Sequence, residues 1–307
     1  YGGITVNGQG KLLTHFLKNA DKLVIPVYQR NYDWKEEHCK KLYSDLVKTV
    51  REGKRWHFFG GIVSVSDPMG SSSDYLVIDG QQRITTVSLL LLAIANLVKA
   101  GIATPKDPNL YDVITKKYLV DEINPKQRKM KLKPIKGDQD SYDRLWGEPS
   151  EYNQSSRITQ NYLYFYNQIQ QDDISVDQLF SAVEKLQIID ITLTPPDDDP
   201  QLVFESLNST GLDLNEGDKI RNFVLMRRSM EEQEQFYDDY WSPIEKNAGY
   251  DKQTNSYDVS PFIRDYLGIK ERRLTAMKEI YQEFKDYVEK RGQIEDVLKE
   301  LRDYAKR

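Results

Sequence analysis

Between Tyr75 and Val98 the chain passes from one kind of backbone to another within about ten residues, and this junction constrains the rest. Tyr75-Leu76-Val77-Ile78 is rich in β-branched and aromatic residues and suits a buried strand. Asp79-Gly80 is a turn signal, because glycine tolerates backbone angles that other residues avoid. Gln81-Gln82-Arg83 follows, and Ile84 to Val98 is too long an apolar run for a strand, so it reads as a buried helix. A strand, tight turn and helix in this order aim backbone N–H groups and the positive end of a helix at one point, which suits phosphate. Asp79 adds a potential metal ligand and Arg83 a fork for phosphate oxygens. A plain Asp-Gly turn beside a paired arginine is the alternative, but a turn alone has no need of four consecutive polar functional groups.

Composition narrows the class. A chain of 307 residues, 39% hydrophobic and 30% charged, can bury a full core and reads as soluble and helix-rich. The net charge of −5 argues against a sequence-independent DNA binder, so any nucleic-acid contact must come from a local patch. Cys39 is the sole cysteine, which excludes an intrachain disulfide and a cysteine-based zinc cluster and fits a reducing cytoplasm. No signal peptide is visible, and the longest apolar run, broken by Thr85, Thr86, Ser88 and Asn96, is short for a membrane span. A chain opening on Tyr1 reads as a piece of a longer protein.

Upstream of the junction, Leu12 to Leu17 reads as a short helix and Leu23-Val24-Ile25 as a strand running into Pro26. Tyr28-Gln29-Arg30 and Tyr32-Asp33-Trp34 then alternate aromatics with polar groups. Two readings stand side by side: an edge segment with half-buried rings, or a rim presenting Gln29 and Arg30 to a ligand with Tyr28, Tyr32 or Trp34 as a stacking surface. Lys35 to Arg51 is an amphipathic helix. Phe58 to Val65 is a strand whose Gly60-Gly61 pair suggests close approach of another backbone or a ligand. Asp67 to Asp74 reads as a flexible hairpin loop.

Residues 101–115, with Gly101, Pro105 and Pro108, look like a domain boundary. Lys116 to Lys136 holds eight Lys or Arg against two acidic residues. Within it Lys129, Lys131 and Lys133 alternate as the basic face of one strand would. That face is either a solvated edge that blocks aggregation or a contact for phosphate backbone. Further on, Asp199 caps a helix opening at Pro200, and Asn208-Ser209-Thr210-Gly211 ends it. A second helix starts at Asn215, with Asp218 and Asn222 four apart on one face. The remainder reads as charged, solvated helix.

Four stretches, in this order, resemble the DGQQR-motif family of bacterial defence proteins, which includes GmrSD-type modification-dependent restriction enzymes and SspE-type effectors. They are Ile25-Pro26 with Tyr28-Gln29-Arg30, Tyr32 and Trp34; Phe59-Gly60-Gly61-Ile62-Val63; Ile78 to Thr86; and Phe204 with Asn208, Gly211, Leu214, Asp218 and Asn222. The resemblance implies an α+β architecture: a ParB/sulfiredoxin-like α/β domain over 1–104 and a mostly helical domain over 105–307. It implies binding and hydrolysis of an NTP (GTP or another) with Mg²⁺, coupled to sensing of modified or foreign DNA. By the chemistry of the side chains, Asp79, Gln81, Gln82 and Arg83 are expected to be catalytic, with Asp79 the metal ligand. Tyr28, Gln29, Arg30, Gly60, Gly61, Gly80, Thr85, Thr86, Asn208 and Asp218 are expected to hold the nucleotide, and Lys129, Lys131 and Lys133 to meet DNA. Family members usually carry an HNH nuclease domain, but His15, His38 and His57 lie in no such setting. That domain is therefore expected beyond residue 307 or on a partner. A non-catalytic modified-DNA-binding module and a ParB-like nuclease remain the alternatives. The protein is expected to be cytoplasmic and free of membrane.

Overall fold

A computed structural model describes residues 8–66, 73–121, 129–194, 198–208, 214–226, 228–251 and 256–306. The expected loop at 67–72 and the helix end at 209–211 lie outside the described residues.

The first part of the chain runs β1 (Gln9–Leu12), α1 (Leu13–Asn19), β2 (Lys22–Val24), α2 (Glu36–Arg51), β3 (His57–Ser66), β4 (Asp74–Asp79) and α3 (Gln81–Lys99). It continues through α4 (Leu110–Ile114), a π-turn (Thr115–Leu119), β5 (Val120–Asp121), β6 (Lys129–Met130), β7 (Leu132–Lys133), α5 (Lys136–Arg144), α6 (Arg157–Gln171), α7 (Val176–Val183) and β8 (Leu186–Leu193). The main sheet has the order β1-β8-β3-β4-β2-β7. It is mixed: β3 and β4 form an antiparallel pair, while β3–β8, β4–β2 and β2–β7 are parallel.

α3 is the centre of this unit. Residues Ile84 to Ala95, and Leu97, are all buried, because helices pack around it rather than leaving one face to water. α6 and α4 lie directly against it, and α2 packs on α6 and α7. Ile62, Val77, Leu186 and Ile188 of the sheet join the same core. α3 is long and apolar enough to cross a membrane, but the apolar side chains that would face lipid are spent on this core.

The expected boundary at 104/105 moves. The compact units are residues 1–198 and 199–307. The reason is β8, which comes from the second hundred residues and inserts between β1 and β3, so the sheet is incomplete without it.

The second unit is built of α8 (Pro200–Asn208), α9 (Glu216–Leu225), α10 (Met230–Phe236), a π-turn (Tyr237–Trp241), α11 (Ser242–Ile244), a further π-turn (Glu245–Gly249), the small pair β9 (Tyr250–Asp251) and β10 (Ser256–Tyr257), α12 (Ser260–Glu271), α13 (Ile280–Arg291) and α14 (Ile294–Ala305). Trp241, Ile244, Ile263, Tyr266, Phe284 and Leu298 fill its core. Asp199 caps α8 as expected, with Oδ1 accepting the Gln201 amide at 2.9 Å. The chain is thus a mixed α/β unit followed by a helical one.

The lysine strand is a correction. Lys129 and Lys133 do not share a strand: β6 pairs with β5, whereas β7 pairs with β2 in the main sheet. Lys131 sits at the break, 6% exposed, and its Nζ donates to the carbonyls of Leu17 (2.9 Å), Lys18 (3.0 Å) and Lys117 (2.9 Å). It is an internal cation on the negative end of α1 and the following π-turn, not a contact for DNA. Burial pulls its ammonium below the usual lysine range, with Asp21 and Asp121 acting against that. Lys133 is half-buried, and the Lys129 side chain lies outside the described residues.

Candidate functional site

The strand–turn–helix junction forms as the sequence predicts, one turn tighter. Asp79 is the last residue of β4, and Gly80 serves as the N-cap of α3 with φ +94°. Gly80 is doubly required: its backbone is left-handed, and a Cβ there would stand 3.0 Å from both the Gly61 carbonyl and Ile62 Cγ1. Because the capping residue is glycine, no side chain closes the helix start. The first amides of α3 therefore have no side-chain acceptor at the cap.

Residues 81–83 fan out around the first turn. Arg83 lies over Gly60, where a Cβ would come within 2.5 Å of its Nε, and Nη1 donates to the Gly61 carbonyl at 3.3 Å. That contact explains Gly60, which has φ +136° beside a β-bulge in β3. Gly61 is different: a Cβ there would meet only the Ile189 carbonyl at 3.9 Å, an ordinary contact. Asp79 is half-buried; burial pushes its carboxyl above the usual carboxylate range, while the Arg83 guanidinium and the Gly80 N–H pull it back.

On the other side of the turn, glutamines meet the rim. Gln29 Nε2 donates to the Ile78 carbonyl (2.6 Å), and Gln29 Oε1 accepts from Gln81 Nε2 (3.1 Å). A carbonyl can only accept, so this relay fixes both amides and leaves Gln81 Oε1 as the outer acceptor. Gln82 is bound differently. Its Oε1 accepts the amides of Asp33 (3.0 Å) and Trp34 (3.1 Å), so it holds the rim rather than reaching for a ligand.

Tyr28 and Tyr32 are 3% and 7% exposed, so neither offers a free stacking face; burial raises both phenols. Tyr32 OH bonds Thr86 Oγ1 at 2.7 Å, which places Thr86 inside the framework. Trp34 is half-buried and stacked on His38. Thr85, Gln81, Gln82 and exposed Arg30 line a cleft with Ile25, Tyr32 and the β7–α5 connection.

Two residues of this site escaped the sequence. Asn161 of α6 is 1% exposed and donates to Tyr32 OH (2.9 Å) and the Trp34 carbonyl (2.7 Å), fixing the rim from behind. A lone amide on the apolar stripe of α6, beside Ile158, Tyr162 and Phe165, was the available signal. Asp138 of α5 accepts the Tyr32 amide at 2.7 Å and also lines the cleft. Nothing in Lys136-Gly137-Asp138-Gln139-Asp140 distinguishes it from a solvated loop.

Of the two contributors expected from the second unit, Asp218 is engaged within that unit. Asn215 Oδ1 accepts the Asp218 amide at 2.7 Å. Asp218 itself is 8% exposed and pairs with Arg221 at 3.0 Å. The Asn208 side chain lies outside the described residues.

Residues 13–225 match the family model of the GmrSD restriction endonuclease, N-terminal domain, and the chain belongs to that family. This makes it part of a restriction-type defence protein, whose family implies DNA as the target. No curated protein matches the chain in sequence.

Proposed function

We propose that this chain is the NTP-binding and hydrolysing sensor module of a modification-dependent restriction or antiphage protein of the cytoplasm, working with an HNH-type nuclease domain in the same longer protein or on a partner. The observation that carries the reading is the glycine-capped start of α3, flanked by Asp79 and Arg83 and facing Gly60-Gly61. Hydrolysis requires that a water attack the terminal phosphorus while the bond to the leaving phosphate breaks, giving NDP and inorganic phosphate. The first-turn amides of α3 and the remaining donors of Arg83 suit phosphate oxygens.

Among the described residues no group of three His, Cys, Asp or Glu could enclose a metal. This donor set still fits Mg²⁺, which commonly takes one or two carboxylates and completes its shell with phosphates and water. Asp79 would hold it when ionised, and the metal would neutralise charge on the phosphates. Gln81, whose Nε2 is used by the relay, would position a water or a phosphate oxygen.

The test is phosphate release from an NTP panel with Mg²⁺, with and without modified DNA, for the wild type and Arg83→Ala. Release by the wild type that falls at least a hundredfold in Arg83→Ala, at unchanged melting temperature, is expected; a loss of that size corresponds to about 2.7 kcal/mol. NTP binding without release would instead mark a non-catalytic module, and DNA cleavage by this chain alone a ParB-like nuclease.

A further inference from the structure

One end of the main sheet carries apolar surface that the core does not use. Leu186 and Ile188 of β8 belong to the core with Ile62 of β3, so the alternate residues of these strands face the other side. On that side the register sets Phe58, Gln187 and Leu12 in one row across β3, β8 and β1. Ile189 stands in the next row, between Gly61 and Gly10. Phe58 is 53% exposed, Leu12 41% and Ile189 38%. A Cβ at Gly10 would meet nothing within 4 Å, and one at Gly61 only a backbone oxygen at 3.9 Å, so the face is shallow beside Ile189. Trp56, immediately ahead of β3, is 56% exposed.

The uncompensated charge at this end is positive. Lys54-Arg55-Trp56-His57-Phe58 contains no acid. Of the nearby carboxylates, Glu52 is paired with Lys54, Asp45 lies 3.6 Å from His57, and Glu184 lies in the field of Lys117. Arg55 is exposed and Lys185 half-buried, and neither has an ion pair among the described residues. The His57 amide donates to the Lys185 carbonyl at 2.9 Å, which brings Lys185 alongside the segment that carries Arg55 and Trp56.

Exposed rings beside unpaired cations match a strand whose bases are not already stacked in a duplex: bases lie on the rings and phosphates on the cations. A second copy of this chain is a poorer match, since each copy carries a net charge of −5 and brings no complement to Arg55 and Lys185. We infer that this face, from Trp56 across Phe58 to Leu12 and Ile189, binds an unpaired stretch of DNA, with Trp56 and Phe58 as stacking platforms and Arg55 and Lys185 as phosphate contacts. This rests on the DNA-sensing part of the reading above and not on NTP hydrolysis.

The test is fluorescence anisotropy without nucleotide, using a labelled oligothymidylate of about 12 nucleotides and a cytosine-methylated duplex of the same length. Wild type, Trp56→Ala, Trp56→Phe and Arg55→Gln are compared over a range of salt, alongside melting temperature and sedimentation. Trp56→Ala should weaken oligothymidylate binding about tenfold and leave the duplex unaffected, while Trp56→Phe, which keeps a ring, stays within about threefold. Arg55→Gln should make the salt dependence of oligothymidylate binding shallower by about 0.7 in log–log slope. Melting temperatures should not move, because both side chains are exposed. A wild type that binds the duplex alone, or a Trp56→Ala protein that binds oligothymidylate like the wild type, overturns the inference while DNA sensing stands. Self-association that Trp56→Ala abolishes, without oligothymidylate binding, overturns it in favour of a contact between copies. Binding of neither DNA overturns it and counts against DNA sensing as well.

Discussion

Two helices begin with polar sequence, and they begin differently. α3 opens on Gly80, which has no side chain to offer, so its first turn carries no internal cap. α9 opens on Asn215, whose Oδ1 takes the Asp218 amide, and the Asp218 carboxylate goes to Arg221. Arg221 in turn holds Glu245, which also receives Trp241 Nε1 at 2.8 Å. In sequence both starts look like ligand sites, because Asp, Asn, Gln and Arg serve caps, ion pairs and catalysis alike. In the structure the α9 start shows an internal acceptor for its first turn, whereas the α3 start shows none from a side chain. What separates the two starts is therefore the missing side-chain acceptor for the first-turn amides of α3, not the density of polar residues.

The comparison breaks hardest at Asp79. If the α3 start is functional, Asp79 is a charge kept in a poor place for stability. Its carboxyl is raised by burial, so the folded state binds a proton more tightly than the unfolded one. The charged form therefore weakens the fold above the raised value, and stability is regained as pH falls through it toward the ordinary 3.8. Asp79→Asn removes the charge with little change in shape. It should raise the melting temperature at neutral pH while phosphate release falls at least a hundredfold, and the acid limb of the wild-type rate should lie above pH 3.8. A variant that is less stable and still active would make Asp79 an ordinary structural carboxylate.

Lys131 supplies the opposite case, a charge wholly consumed by the fold. Lys131→Met keeps the stem but strips a donor from three carbonyls of α1 and the π-turn. Leaving buried carbonyls unpaired costs about 1–3 kcal/mol each where water cannot reach them, so a net loss of about 2 kcal/mol is expected from urea unfolding. Its depressed ammonium means that the unfolded state holds more protons between the folded value and 10.5, so this residue's penalty eases as pH rises through that window. DNA affinity should not change. A shallower salt dependence of DNA binding in Lys131→Met would restore the phosphate contact expected from sequence.

The lysines also show where the sequence stopped being legible. Alternation of Lys129, Lys131 and Lys133 is real, but a two-residue strand that ends at Met130 and another that starts at Leu132 in a different sheet cannot be seen from periodicity. The position of β8 between β1 and β3 was hidden for a related reason. Leu186 to Leu193 has a strand-like local pattern, with Ile188, Ile189, Ile191 and Thr192, but which strands it joins depends on contacts more than a hundred residues away. The α3 junction was legible because everything it needs is local: a β-branched run, Asp-Gly, and a long apolar helix. Asp138 and Asn161 were not, since each acts on the rim residue Tyr32 from far along the chain.

Within the α3 start itself the two glutamines can be told apart. Gln81 must donate to Gln29, and a carboxylate in its place cannot. Gln82 mainly accepts, from the Asp33 and Trp34 amides, and a carboxylate does that equally well. Gln81→Glu should therefore reduce phosphate release about tenfold, near 1.4 kcal/mol, while Gln82→Glu stays within about threefold, or some 0.7 kcal/mol. The reverse order would mean that Gln82, not Gln81, faces the reaction.

The smallest effect is expected at the capped helix. Asp218→Asn keeps an oxygen for Arg221 and removes only the charge. Arg221 retains Glu245 at 3.0 Å, so its guanidinium is not left alone. The amide of residue 218 still bonds Asn215, so the cap survives. Weakening the Arg221 pair in this partly buried network should cost about 1 kcal/mol and a few degrees of melting temperature. Phosphate release should stay within about twofold, or some 0.4 kcal/mol. The informative failure is the converse one. A tenfold loss of release with no change in melting temperature would mean that Asp218 acts on the nucleotide despite its ion pair. The family resemblance at this corner would then report chemistry, and an internally satisfied helix start would no longer argue against a site.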